Sequence, residues 1–171
     1  MIRKANLKDI KPIYNLLHEF GKKGELLPRP ISQLYDHVRS FAVYEDDHNG
    51  EIIGCCGLQF CWANLAEIRS MAVHPDHQGK GIGSQLIIDY ALQEANDFGV
   101  NRVFTLTYRP GFFQRFGFNQ IKRSELPLKI WADCITCLKF PDCDETAMMR
   151  IENQSSQKME ELQDWGDRLM D

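Results

Sequence analysis

An α/β domain is the fold class this sequence predicts, and three observations carry it. Short apolar stretches of strand length alternate with longer stretches of helical period. A glycine-rich loop, Gln78–Ser84, sits between one of those strands and one of those helices. The length, 171 residues with 43% hydrophobic content, suits one domain with a core of its own.

The elements follow in order. Ile2 to Ala5 reads as a first strand. Asn6 is a good N-cap, and Asp9 at N3 completes a short capping box. Ile10, Ile13, Tyr14, Leu17 and Phe20 then mark one apolar helix face, which Gly21 and Gly24 end. The loop Glu25 to Pro30 is stiffened by two prolines. Ser32 is expected to cap a second helix containing Leu34, Tyr35 and Val38. Phe41 to Tyr44 is a second strand, and Asn49-Gly50 signals a hairpin into a third, Glu51 to about Phe60. Ile68 to Val73 is a fourth strand, stopped by Pro75. Leu86, Ile87, Tyr90, Ala91 and Ala95 define a helix that ends near Phe98, with Gly99 at C′. Arg102 to Leu106 is a fifth strand, Pro110 to Phe116 a short helix, and Thr146 to Ile151 a last strand.

The loop carries the chemistry. Gly79, Gly81 and Gly83 alternate at the mouth of a helix. Without Cβ atoms the backbone there can approach a ligand closely. The first N–H groups of the helix have no internal partner and lie at the positive end of its dipole, which suits phosphate oxygens. Two phosphate-binding patterns fail. A dinucleotide fingerprint counted from Gly79 or Gly81 needs glycine where Ser84 or Leu86 stands, and no Gly-Lys-Ser/Thr occurs.

What fits is Gln78-x-x-Gly81-x-Gly83, which resembles the acetyl-CoA pyrophosphate loop of the GNAT acetyltransferase superfamily, whose first position is Gln or Arg. The element order β-α-α-β-β-β-α-β-α-β-β agrees with that family. The resemblance implies a GNAT fold, a mixed central sheet with helices on both faces. It implies acetyl-CoA as co-substrate, held by Gln78, Gly79, Lys80, Gly81, Ile82, Gly83 and Ser84, by the backbone of Met71, Ala72 and Val73 along the pantetheine arm, and by Phe112 and Phe113. It also implies direct acetyl transfer to an amine, with Glu67 in the place of the general base. A plain surface carboxylate is the other reading of Glu67. A strand N–H near Met71 or Ala72 is the expected donor to the thioester oxygen. Many members place a tyrosine general acid where this chain has Phe113, so the proton must come from Tyr108, from Thr107 or from a water.

Three further stretches resemble one group within the family, the N-acetylglutamate synthases of arginine biosynthesis. They are Leu26 to Leu34, Val103 to Phe118 and Glu125 to Glu145. An arginine of the first stretch binds the amino-acid substrate in that group, and Arg29 matches it. Arg69, two residues beyond Glu67 on the same strand face, either clamps a second carboxylate or pairs with Glu67. Thr107 is assigned to the same substrate site, and Lys129 and Lys139 are weaker candidates. Longer synthases add an amino-acid-kinase-like domain for which this chain is expected to have no room. The resemblance therefore points to L-glutamate as acceptor. The alternatives are another amine, such as a polyamine or a protein lysine, or a non-catalytic acetyl-CoA sensor.

Charge narrows the partners. The net charge is −4, and residues 151–171 account for it, with six acids against two bases. The neutral body of residues 1–150 gives no electrostatic footprint for nucleic acid. No apolar run is long enough to span a membrane. The amino-terminal stretch lacks a signal-peptide core, so a cytoplasmic location is expected. In the acidic tail, 152–171, the residues Met159, Leu162, Trp165 and Leu169 could form one helical stripe docking on its own domain or on a second subunit of a homodimer. Of six cysteines, Cys55, Cys56 and Cys61 lie in an apolar strand and read as packing. Cys134-x-x-Cys137-x5-Cys143 lacks a fourth ligand at motif spacing, so thiols without metal are expected there rather than a metal-binding interaction module.

Overall fold

A computed structural model describes residues 1–127, 130, 134, 135, 137, 139 and 142–152. Lys129 and the tail beyond residue 152 lie outside these. Among the described residues seven strands form one sheet in the order β1-β2-β3-β4-β5-β7-β6. β4 and β5 pair parallel, whereas β1–β2, β2–β3, β5–β7 and β6–β7 pair antiparallel, so the sheet is mixed as expected. The chain divides into two compact units, Met1–Gln59 with Ile68–Asp97, and Phe60–Glu67 with the chain from Phe98 onward.

The first unit contains β1 (Ile2–Lys4), α1 (Ile10–Lys22), α2 (Ile31–Asp36) and β2 (Phe41–Glu45). It also holds most of β3 (Ile52–Trp62) and the end of β4 (Leu65–Val73). The expected capping box forms, but it caps a 3-10 turn, Leu7–Asp9, that leads into α1. Asn6 accepts from the Lys8 N–H at 2.9 Å, and Asp9 accepts from the Asn6 N–H at 2.8 Å. Arg3 grips the same Asp9 carboxylate with two nitrogens, at 2.7 and 2.9 Å, and reaches Glu45 with its Nε at 2.6 Å. That fork holds the buried Asp9 carboxyl below the usual carboxylate range. The apolar face of α1, with Leu16 added to the expected set, packs on Leu34, Phe41, Val43, Cys55 and Ala72.

Two local expectations are corrected, at α2 and at β4. α2 starts at Ile31 with Pro30 at its N-cap, so Ser32 lies inside the first turn and caps nothing. The pre-set φ of proline suffices to start the helix. The β2–β3 connection is the turn expected over residues 46–50, between Glu45 and Ile52. Asp46 accepts from the N–H groups of His48 and Gly50, and only Gly50 takes positive φ. β4 begins at Leu65, so Glu67 lies two residues inside the strand rather than at its start.

The helix after the glycine loop runs in consecutive stretches, α3 (Ile82–Gln85), a π-helical segment (Leu86–Leu92) and α4 (Gln93–Asp97). Gly54 on β3 lets this helix close on the sheet. A Cβ there would meet Ile82 at 3.1 Å and Leu86 at 3.2 Å.

In the second unit, Ala66 and Glu67 of β4 pair with Val103 and Phe104 of β5 (Arg102–Thr107). β5 then pairs along its length with β7 (Thr146–Ile151), which also carries β6 (Asn119–Gln120). Leu65, Phe104, Leu126, Ile130, Ala147 and Met149 form its core. α5 (Pro110–Gln114) follows β5.

Candidate active site

The loop after β4 is held from its first side chain. Gln78 Nε2 donates to the Val73 carbonyl at 3.1 Å, folding the loop back on the strand it left. Gly79 and Gly81 both take left-handed backbone conformations, φ +76° and +82°. Open space surrounds the positions where their Cβ atoms would stand. Gly81 is the N-cap of α3, so the unpaired N–H groups of that helix open beside an unobstructed surface. Lys80, Ile82, Gly83 and Ser84 complete the loop, with Ile82 buried as its anchor.

On β4 itself, Ser70 has φ +51°, unusual for a residue with a side chain. Its carbonyl accepts from the Cys55 thiol at 3.4 Å. Met71, Ala72 and Val73 follow, with Ala72 packed into the core and its two neighbours half-buried.

The same unit contains an open pocket. Arg29 and Arg69 both line it, together with Gln33, His37, Gln59 and Ser70, and among the described residues no carboxylate does. Arg69 donates from Nη1 to the Gln59 side-chain oxygen. The expected pair of cations is therefore gathered at one place, from a proline-stiffened loop and from β4. Gln59 and His37 were not anticipated. Gln59 reaches the pocket from β3, the strand next to β4, a placement that spacing along one strand does not reveal.

The second unit holds the expected acid and base residues. Glu67 is half-buried on β4. Tyr108, just past β5, donates its hydroxyl to Asp144 at 2.8 Å and accepts from Lys139, whose ammonium also lies 4.3 Å from the ring centroid. Desolvation raises the Tyr108 pKa, with the Asp144 hydrogen bond adding to it and Lys139 opposing it. The phenol is therefore protonated at neutral pH and has a proton to give. Thr107 is buried, and its Oγ1 accepts from the Arg109 N–H at 2.9 Å, so it also shapes the turn into α5. Phe113 is buried edge-on against Phe112 and Phe118, and Phe112 stacks under the Arg115 guanidinium at 4.9 Å. Asp144 was missed because nothing in its spacing ties it to Tyr108. Cys55 and Cys56 are fully buried, and burial pushes the Cys55 thiol up to about 12, as suits packing residues.

Comparison with known proteins adds the following. The model of the acetyltransferase (GNAT) domain matches residues 37–120. An uncharacterised N-acetyltransferase of Chlorobaculum tepidum is 40% identical over 149 residues, 87% of this chain and 94% of its own length. An amino-acid acetyltransferase of Mycobacterium tuberculosis is 36% identical over 132 residues, 77% of this chain and 75% of its own. Among solved structures, N-acetylglutamate synthase from Neisseria gonorrhoeae, complexed with coenzyme A and N-acetyl-glutamate, superposes with a TM-score of 0.80 at 28% identity. That match covers 90% of this chain and 35% of the larger protein. Among the described residues no helix is long and apolar enough to cross a membrane.

Proposed function

The chain belongs to the GNAT acetyltransferase superfamily and is an acetyl-CoA-dependent N-acetyltransferase, and on that premise we propose that its acceptor is the α-amine of L-glutamate, as in N-acetylglutamate synthases of arginine biosynthesis. The observation that carries the reading is the pocket shared by Arg29 and Arg69. A dicarboxylate amino acid offers two anionic groups, and a planar guanidinium binds a carboxylate through two parallel hydrogen bonds. A polyamine would want carboxylates there, and none of the described residues lining the pocket is one.

The mechanism follows from what each group must do. Acetyl-CoA is held at its pyrophosphate by the loop Gln78–Ser84, where the backbone of Gly79 and Gly81 is open to approach. The backbone of Met71–Val73 pairs with the pantetheine arm as an added strand would. An ammonium has no lone pair for attack, so Glu67, through a water, takes its proton. The neutral amine attacks the thioester carbonyl, whose oxygen gains charge and is met by an N–H near Met71 or Ala72. As the C–S bond breaks, the thiolate takes a proton from Tyr108, which is kept protonated in its setting.

The test is a turnover screen with acetyl-CoA over the amino acids and the polyamines. L-glutamate is expected to be the best acceptor. Acetylation of spermidine or a lysine peptide, with glutamate left untouched, would sink the synthase reading and leave only the acetyltransferase.

A further inference from the structure

β3 holds Arg69 at both ends of its side chain. Near the backbone the fit depends on Gly57. A Cβ there would stand 3.1 Å from the Arg69 carbonyl oxygen and 3.4 Å from its Cγ, so glycine lets the stem of the arginine lie close against the strand. At the tip, the Gln59 side-chain oxygen accepts from Arg69 Nη1. Gly57 and Gln59 are two residues apart on β3 and share one face of it. Both line the pocket with Arg69, and all three belong to the first unit. A free arginine side chain loses many rotamers when it takes an anion. One whose tip is already tied loses fewer, and its planar fork keeps a set direction. The chemistry of the tie matters as well. A carboxylate in place of the amide would hold the guanidinium more tightly, but it would cancel charge where an anion is to bind. The neutral oxygen of Gln59 holds the guanidinium and cancels nothing.

We propose that Gln59 is a positioning residue for the acceptor: it aims the Arg69 guanidinium at an acceptor carboxylate without neutralising it, and so sets the preference of the pocket for anionic amines. This rests on the reading of the pocket shared by Arg29 and Arg69 as the acceptor site. Gln59 acts through Arg69 and handles no reacting atom, so its loss is felt in the acceptor KM and not in kcat. The charge argument also fixes an order of severity. Gln59→Met removes the tie and keeps the bulk. Gln59→Glu keeps an oxygen for Arg69 but brings a negative charge that cancels the cation and repels the acceptor, so it is the worse of the two. A packing role alone would order them the other way, because glutamate is the closer match to glutamine in shape.

The experiment is steady-state kinetics with L-glutamate on the full chain, comparing wild type, Gln59→Met, Gln59→Glu, Arg69→Met and the double variant Gln59→Met with Arg69→Met. Calorimetric acetyl-CoA affinity checks that each is folded. We expect Gln59→Met to raise the glutamate KM by about tenfold, the worth of one hydrogen bond to a charged group, with kcat and acetyl-CoA affinity near wild type. Gln59→Glu should raise it further. In the Arg69→Met background, Gln59→Met should add nothing, since the group it positions is gone. Additive effects in the double variant, a Gln59→Glu milder than Gln59→Met, or an unchanged KM in Gln59→Met beside a raised one in Arg69→Met would each overturn the positioning role and leave the pocket reading standing. No turnover of glutamate by wild type, or an unchanged KM in Arg69→Met, would overturn the pocket reading and this proposal with it.

Discussion

A base that removes the ammonium proton acts in the chemical step and not in holding the cofactor. Glu67→Gln should therefore lower turnover by about 10²–10⁴-fold while acetyl-CoA affinity, read by calorimetry, stays near wild type. The defect should shrink as pH rises, because more of the amine is then neutral without help. A variant with wild-type turnover at neutral pH would remove Glu67 from the mechanism. Tyr108 has a complementary expectation. Desolvation and Asp144 favour its protonated form, so Tyr108→Phe should slow release of the thiol product and leave acceptor KM little changed. It was readable as a candidate acid only as the nearest phenol in sequence. The two groups that qualify it, Asp144 and Lys139, lie more than thirty residues away along the chain and meet it only through folding.

At the scale of elements, the glycine loop and the entry to α1 each make a separable contribution. Gly81 combines φ +82° with open space, so Gly81→Asp adds backbone strain and a negative charge beside the helix mouth. Acetyl-CoA affinity should fall steeply in a variant whose circular dichroism is unchanged, and unchanged affinity in that folded variant would refute the loop's role. At the entry to α1, Asp9→Ala removes half of the capping box and one of the two carboxylate partners of Arg3, and should cost about 1–3 kcal/mol in denaturant unfolding. Because Arg3 holds the Asp9 carboxyl below its usual range, the unfolded chain binds that proton first as pH falls. The contribution of Asp9 is thus complete above the ordinary carboxylate pKa, about 3.9, and is lost as pH drops through the lower folded value. Acid titration of wild type against Asp9→Asn checks the sign. Both elements were legible because their chemistry is local, a cap three residues from its partner and a glycine run at a helix start. Ser32 misled because Pro30 also satisfies a helix start. The π-helical stretch Leu86–Leu92 left no mark, since its apolar spacing also fits an ordinary helix.

For the whole molecule, the expected strand-and-helix order emerges intact, because alternating periods and turn residues report on each element without reference to the rest. Pocket membership was less legible. Gln59 and Arg69 meet through the neighbouring strands β3 and β4, and His37 and Arg29 come from segments flanking α2. The distribution of these groups makes a kinetic prediction. Arg29 belongs to the first compact unit and Glu67 to the second. If Arg29 binds the acceptor and Glu67 serves the chemistry, their variants must disturb different constants. Arg29→Lys keeps the charge but loses the planar fork, so a bidentate contact fails even though the cation remains. The KM for glutamate should rise by about tenfold or more, the worth of one charge-assisted hydrogen bond, with kcat and acetyl-CoA affinity little altered. Glu67→Gln should show the reverse, a fallen kcat at nearly constant KM. Steady-state kinetics on the two variants separate the cases. An Arg29→Lys enzyme with unchanged KM for glutamate would mean that charge alone, or another residue, holds the acceptor.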